Sequence, residues 1–506
     1  MECIISVEIG TNAVRIVAFD IEGNVIGSAK GSYPTFHVQS DYSEQDPDQM
    51  FITMLYVLKN LLNEKIHPKK YKVLSICFGA SMHSVLPVDK SGVPLGHAII
   101  WADNRGKDLA QELKYSSLGN KIYDATGTPI HPMSPLIKIA WLARKDKDRF
   151  KKTYKFLSIK SYIIYQLTKS FLIDYSLASA TGLLNIHTLE WESDALGYAG
   201  ISPDRLPEVV PVFHSSEKLI GSYRKSLGLS ESVQIIAGSS DGCLATLGGG
   251  IWEEGKAIVT IEDSGAVRVV GKEVLKDEKQ RFFNYLLTDK YYVSGGPTNN
   301  GGVVFEWFAK QFGEFKNAFD MEYTLENLIK EASSAPVGSD GLIFLPYLLG
   351  ERAPIWDANA RGTYFGINIK HERNHLVRAT IEGILYAVYN IGKTLLEKRS
   401  IEVLTTHGSF ASIPLCTQIL ADIFNKPVCI GKNSDCIAQG SFLVGATKLG
   451  IYKNLDEAAR SVVLSTTYQP QKQNHALYQK FFTVFESLSF KLREDFENLA
   501  KLQHDS

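Results

Sequence analysis

The chain carries one supersecondary pattern twice: an apolar strand, a tight polar turn containing glycine, and a second apolar strand, over Ile4–Phe19 and again over Ala257–Val270. The first turn is Gly10-Thr11-Asn12 and the second Glu262-Asp263-Ser264-Gly265. Glycine admits positive φ and close approach of backbone to ligand, so a strand–turn–strand with exposed N–H groups can cradle phosphate oxygens. Two such hairpins, each opening about half the chain, predict two related domains facing one nucleotide.

Length agrees: 506 residues exceed one ordinary core, and about 100–200 residues per domain gives two or three domains. Hydrophobic residues make up 44% and charged residues 22%, the balance of a globular chain with substantial cores. A formal net charge of −1 provides no broad field for nucleic acid or an anionic membrane, which favours small ligands over polyanions. Cys3, Cys77, Cys243, Cys416, Cys429 and Cys436 are scattered, without a C-x-x-C pair or a His at zinc-ligand spacing. They read as reduced core thiols. The N-terminus enters a strand with no signal-peptide pattern, and no apolar run is long enough to cross a membrane. The cytoplasm is the expected compartment.

After the first hairpin a turn at Glu22-Gly23-Asn24 and a strand from Val25 complete a three-strand meander. Asp46 and Asp48 open a helix with apolar spacing through Phe51, Leu55, Leu58 and Leu62. Lys72–Phe78 and Ala98–Trp101 read as strands whose ends, Gly79 to His83 and Ala102 to Arg105, are polar. In open α/β sheets ligands bind at the carboxyl ends of strands, so both are candidate substrate loops. Gln234–Gly238 is a further strand, running into Ser239-Ser240-Asp241-Gly242. The boundary is placed at Gly248-Gly249-Gly250, giving domains 1–250 and 251–506. The second half repeats the plan: its hairpin, a Gly-rich helix entry at Asn299 to Gly302, a long helix over 374–398, a strand Glu402–Thr406, and a helix Leu415–Phe424 after Gly408-Ser409-Phe410. The charged segment 475–502 reads as a solvated packing helix.

Asp241 ends a buried strand beside small residues, where a carboxylate can take the proton of a hydroxyl attacking phosphorus; taken alone, an Asp before Gly is most simply a turn residue. Glu8, next to Gly10-Thr11, can hold Mg²⁺ while turn amides hold phosphate, although a strand-end Glu is commonly just solvated. Met82-His83-Ser84 and Trp101 to Arg105 offer an imidazole, amides, a carboxylate and a guanidinium, a donor-rich set for hydroxyls and an acid group. Trp101 is most simply core. Gly408-Ser409-Phe410-Ala411, between strand and helix, can present N–H groups to phosphate or adenosine.

Together these residues resemble the FGGY carbohydrate kinases, within which the likeness to gluconate kinase is strongest, and the resemblance runs along almost the whole chain. It is carried by Ser81 to Val85, Trp101 to Arg105, Thr126-Gly127-Thr128-Pro129-Ile130-His131-Pro132-Met133, Asp174 to Ala180, Gly295 to Gly302, and Pro346 to Pro354. The resemblance implies an α/β fold of two duplicated actin/hexokinase-like (ribonuclease H-like) domains with the active site in the interdomain cleft. It also implies ATP-dependent, Mg²⁺-assisted phosphorylation of a sugar or sugar acid, with a homodimer left open. Asp241 matches the base and Glu8 with Asp241 the metal side. Met82 and His83 match the substrate pair, Asp103, Asn104 and Arg105 the second substrate loop, and His131 a further wall of the sugar site. On the nucleotide side Gly10, Thr11 and Asn12 match the first phosphate turn, Asp263 and Ser264 the second, Gly302 and Glu306 a nearby segment, and Gly408, Ser409 and Phe410 the adenosine motif.

Several positions depart from the family's pattern. Glu8 stands where Asp is usual, Asn12-Ala13 where hydroxyl residues are usual, Ser409 where Gly is usual, Ser412 where Arg is common, and Glu262-Asp263 where Gly-Thr is usual. Two carboxylates beside the terminal phosphates would repel ATP, at a separation of about 4 Å by roughly 1 kcal/mol in water and about 4 near a protein surface. The expected activity is gluconate phosphorylation, with xylulose or another pentulose as the alternative substrate and a catalytically weak sugar sensor as the alternative class.

Overall fold

The structure is a computed structural model that describes residues 1–39, 41–66, 70–216, 219–313, 321–433 and 435–505. It divides into two units, and the division is not sequential. The first comprises Met1–Trp252, Gly271–Ser294 and Asp435–Val462, and the second Glu253–Val270, Gly295–Ser434 and Val463–Ser506.

The first unit is built on a six-stranded sheet in the order Ser215–Ser216, Gln234–Ser240, Lys72–Ala80, Glu2–Ile9, Ala13–Asp20, Val25–Ser32. The meander accounts for the antiparallel half: Glu2–Ile9 pairs with Ala13–Asp20, which pairs with Val25–Ser32. Lys72–Ala80 then runs parallel between Glu2–Ile9 and Gln234–Ser240, with Ala80 level with both Ile9 and Ser240. Strands buried on both faces read as near-continuous apolar runs, as Glu2–Ile9 and Lys72–Ala80 do.

Over one face lies the helix Pro47–Leu61, started by Asp46, whose Oδ1 accepts from the N–H groups of Asp48 (2.9 Å) and Gln49 (3.1 Å). Its Met50, Met54, Leu58 and Leu61 enter the same core as Ile5, Val7 and Phe78, each large apolar side chain contributing about 1.5–3 kcal/mol. Against Glu2–Ile9 the chain brings back a distant helix, Cys436–Lys448, where Ser6 Oγ donates to Ala438 O at 2.9 Å. That helix crosses Asp241–Gly248 so closely that a Cβ on Gly440 would stand 2.0 Å from Leu244 O, and one on Gly248 1.9 Å from Cys436 O.

The second unit repeats the arrangement. Gly255–Ile261 is antiparallel to Gly265–Gly271 and parallel to Ile401–His407, and Val428–Gly431 and Leu464–Tyr468 continue the sheet. The long helix spans Arg373–Leu396, and Pro414–Phe424 follows the strand Ile401–His407. All six cysteines are buried thiols outside any disulfide, and among the described residues no helix is long and apolar enough to cross a membrane.

Two local expectations change. The strand predicted over 98–101 is only Ala98–Ile99 and pairs antiparallel with Glu44–Gln45 rather than joining the parallel sheet. Trp101 is half-buried rather than core, because its indole N–H needs an acceptor and finds Thr11 Oγ1 at 2.8 Å.

Candidate functional site

Met82 and His83 follow directly from the parallel strand Lys72–Ala80. His83 is 7% exposed and its φ is 70°, a left-handed backbone unusual for a residue with a side chain. Its Nδ1 lies 2.9 Å from Ala180 O and its Nε2 3.3 Å from the Tyr285 hydroxyl. A carbonyl only accepts, so Nδ1 carries the proton, and in the neutral ring Nε2 accepts from Tyr285. Met82 packs against the Ile173, Leu177 and Leu286 cluster. His131 is half-buried, and its Nδ1 accepts from the Met133 N–H at 3.2 Å, which puts the proton of the neutral ring on Nε2.

The helix Pro135–Lys145 places Lys138 between these segments. Lys138 is 1% exposed, and its Nζ donates to His83 O at 2.6 Å and to Met133 O at 2.7 Å. Burial pushes its ammonium down to about 7; Asp103 opposes the shift and Arg105 adds to it.

The second loop is held from within. Asp103, fully buried, accepts from Ser43 N–H (2.7 Å) and from Arg105 Nε (2.8 Å) and Nη2 (2.7 Å). Arg105 Nη2 also donates to Glu44 at 2.6 Å, and the guanidinium lies 3.9 Å from the centre of the Tyr42 ring. Burial works to lower the Arg105 pKa, but the two carboxylates outweigh it and hold the group charged. Its charge is thus spent on protein acids and fixes the loop. Asn104 stands half-buried between Asp103 and Arg105, and among the described residues none hydrogen-bonds its side-chain amide.

Asp241 is the first residue of the helix Asp241–Gly248, capped by Ser240, and its Oδ1 accepts from the Gly242 N–H at 2.7 Å. A carboxylate in a helix's first turn is stabilised by the N-terminal dipole. Ser176 Oγ bonds Ser240 Oγ at 2.5 Å, linking the Asp174 to Ala180 segment to the strand end. Behind both lies Lys160, 1% exposed, whose Nζ is 2.8 Å from Asp174, 2.9 Å from Ser239 O and 3.4 Å from Phe78 O. One ammonium thereby ties together the two parallel strands that carry His83 and Asp241. Sequence reasoning missed both buried lysines; the signal was a lysine inside an apolar run, Leu136-Ile137-Lys138-Ile139 and Ile159-Lys160-Ser161-Tyr162-Ile163.

The turn Gly10-Thr11-Asn12 is firmly held. Gly10 O accepts from the Tyr33 hydroxyl, Thr11 O from Gln45 Nε2, and Asn12 O from the Tyr33 N–H. Burial first, then the charge of Glu8, raises the Tyr33 pKa and keeps its hydroxyl protonated as a donor. A Cβ on Gly10 would lie 3.0 Å from Ala13 O and 3.8 Å from Glu8 Oε1, so glycine keeps this cradle open beside the carboxylate. Glu8 is level with Gly79 and so with Ser239, two residues before Asp241 and two strands away, which separates the two backbones by more than about 10 Å. Carboxylates so far apart would share one Mg²⁺ only through the waters that this ion keeps. Among the described residues no group of three or more His, Cys, Asp or Glu could hold a metal ion by itself.

In the second turn, Glu262 N–H donates to Ser264 O at 2.9 Å. The carbonyls of Glu262 and Asp263 accept from Gly301, Gly302 and Val303 N–H at 3.2, 2.7 and 3.2 Å, so Gly302, at the entry of the helix Gly302–Phe312, gives its amide to the turn. Ser409 N–H and hydroxyl donate to Glu262 Oε2 at 3.4 and 3.2 Å. Gly408 has φ 104°, with a built Cβ 2.2 Å from Ile261 O, whereas Ser409 has no left-handed backbone to resist its side chain. Phe410 is buried against Phe305, and Glu306 lies 3.9 Å from Lys310 on its own helix. Glu351 accepts from Thr298 Oγ1 (2.6 Å), Arg352 N–H (2.7 Å) and Asn299 N–H (3.0 Å), joining the Gly295 to Gly302 and Pro346 to Pro354 segments.

Models of the FGGY family of carbohydrate kinases match this chain, the N-terminal domain over residues 3–248 and the C-terminal domain over residues 259–449. The chain belongs to that family and is a carbohydrate kinase, a phosphotransferase. It is 34% identical to a gluconokinase of Bacillus subtilis over 99% of this chain and 98% of that one. It is 30% identical to a xylulose kinase of Staphylococcus epidermidis over 96% of each. Among solved structures it superposes on a xylulose kinase from Lactobacillus acidophilus (TM-score 0.92, 31% identity, 99% of this chain and 100% of that one). A gluconate kinase from the same organism gives a TM-score of 0.91 at 31% identity, covering 98% of this chain and 99% of that one. The two-domain, actin/hexokinase-like fold expected from the sequence is the fold observed.

Proposed function

We propose that this protein is a gluconate kinase of the cytoplasm, transferring the γ-phosphoryl group of ATP to the primary hydroxyl of D-gluconate to give 6-phosphogluconate. The observation that carries the reading is likeness along the whole chain to gluconokinases of two Bacillus species, with the Thr126 to Met133 segment as its local counterpart. Residues 1–250 supply the sugar side and the base, and residues 251–506 the rest of the nucleotide side. Met82, His83, Asn104 and His131 orient the hydroxyls, while Asp103 and Arg105 stiffen the loop that presents Asn104. Asp241 takes the proton of the attacking hydroxyl. Glu8 and Asp241 hold Mg²⁺ through its waters, and the ion neutralises phosphate charge. Gly10, Thr11, Asn12 and Ser264 line the phosphates, and Gly408, Ser409 and Phe410 the adenosine, with Gly302 and Glu306 nearby.

The xylulose kinase relatives support a pentulose as the second reading of the substrate. The acids at Glu262 and Asp263 support a weak, sensor-like kinase as the second reading of the class. An ATP-consumption assay with gluconate, xylulose, ribulose and glycerol, with and without Mg²⁺, separates them. Turnover highest with gluconate supports the proposal; turnover highest with xylulose replaces it, and sugar binding without turnover identifies a sensor.

A further inference from the structure

Lys138 is a buried cation on an apolar helix, within electrostatic reach of Asp103 and Arg105. Leu136, Ile137, Ile139, Ala140 and Leu142 of its own helix are buried as well, and its ammonium ends on the carbonyls of His83 and Met133. His83 bends there into the left-handed region, a conformation that persists only where its surroundings over-determine it. The His83 ring is aimed by Ala180 O and the Tyr285 hydroxyl, and turning the peptide away from Lys138 would swing that ring off both. On the other side, Met133 gives its N–H to His131 Nδ1 and its carbonyl to Lys138, so the same ammonium anchors the residue that sets the His131 tautomer.

We propose that Lys138 is a positioning residue of the sugar site: without touching substrate, it holds the His83 and His131 segments in register, so that sugar affinity depends on it while the phosphoryl-transfer rate does not. This rests on the assignment of His83 and His131 to the sugar. The shift of its ammonium toward neutrality agrees, since two carbonyls match the two N–H donors of a neutral amine.

The test measures gluconate and xylulose binding by calorimetry, and steady-state kinetics, for the wild type, Lys138→Met and Lys138→Gln. Lys138→Met keeps length and apolar contacts but no donor; folded Lys138→Met is expected to lose about tenfold or more in sugar affinity, with kcat and the KM for ATP within about twofold. Lys138→Gln retains one donor group and is expected to recover part of the loss. Unchanged sugar affinity in folded Lys138→Met would overturn the proposal. So would a parallel loss of sugar and ATP binding, or failure of both variants to fold, either of which assigns Lys138 to the fold alone. A wild type that binds neither sugar would instead defeat the substrate assignment, and the role of Lys138 in sugar affinity with it.

Discussion

Ser409 donates its N–H and its hydroxyl to one carboxylate oxygen of Glu262, at 3.4 and 3.2 Å. Each supplies what the other needs, an acceptor on Glu262 and two donors on Ser409. Under the proposed function, the amide that Ser409 would offer to a nucleotide is thereby occupied by a protein anion.

Replacing Glu262-Asp263 by Gly-Thr should raise kcat/KM for ATP by about tenfold, because it frees the Ser409 donors and removes two negative charges. Gluconate affinity should stay within about twofold by calorimetry. A fall in ATP-dependent turnover would make the acids working parts of an altered metal or nucleotide site.

Asp241→Asn should reduce kcat by about 10²–10⁴-fold, the usual effect of removing a general base. The Asn carbonyl can still accept from the Gly242 N–H, so the helix start survives and sugar affinity should change only several-fold. Near-wild-type turnover in the folded variant would remove Asp241 from the role of base.

His83→Ala should weaken gluconate binding by about 1–3 kcal/mol, the cost of leaving a buried polar group of the sugar without the proposed imidazole partner. Calorimetry that finds the affinity unchanged would take His83 out of the sugar site.

Stability should rise with pH from about 7 toward 9. Lys138 is brought down from 10.5 to about 7 by burial, against Asp103 and with Arg105, so across that interval the unfolded chain binds a proton that the folded chain has released. Lys155, lowered first by burial, acts in the same sense. Above the ordinary thiol value of 9.0 the sign reverses: burial pushes Cys3 and Cys77 up to about 11 and Cys416 to about 12, and the unfolded thiols lose their protons first. Urea midpoints measured across this range should rise and then fall, with the rise shallower in Lys138→Gln. An equal rise in both proteins would mean that Lys138 does not titrate there.

The hairpins were legible because a turn is a local event: Gly10-Thr11-Asn12 and Glu262 to Gly265 interrupt apolar runs with residues that favour turns. The helix start at Asp46 was readable for the same reason. The site's charges were not, because their partners lie far away in sequence. Arg105 looks like a cation offered to an acid substrate until Glu44 is found beside it at 2.6 Å. Trp101 looks like core until Thr11 accepts from it, and Lys138 and Lys160 stand in apolar runs whose acceptors only the three-dimensional packing brings in.

The return of residues 435–462 to the first unit has a consequence for synthesis and dissection. Ser6 bonds Ala438 O, and the Phe19 and Phe442 rings lie 5.0 Å apart between centroids. Ser6 thus waits for a partner that follows it by 432 residues in the chain. A fragment ending near residue 250 would therefore emerge with the outer side of its first strand bare, so the two sequence halves should be co-expressed rather than studied one at a time.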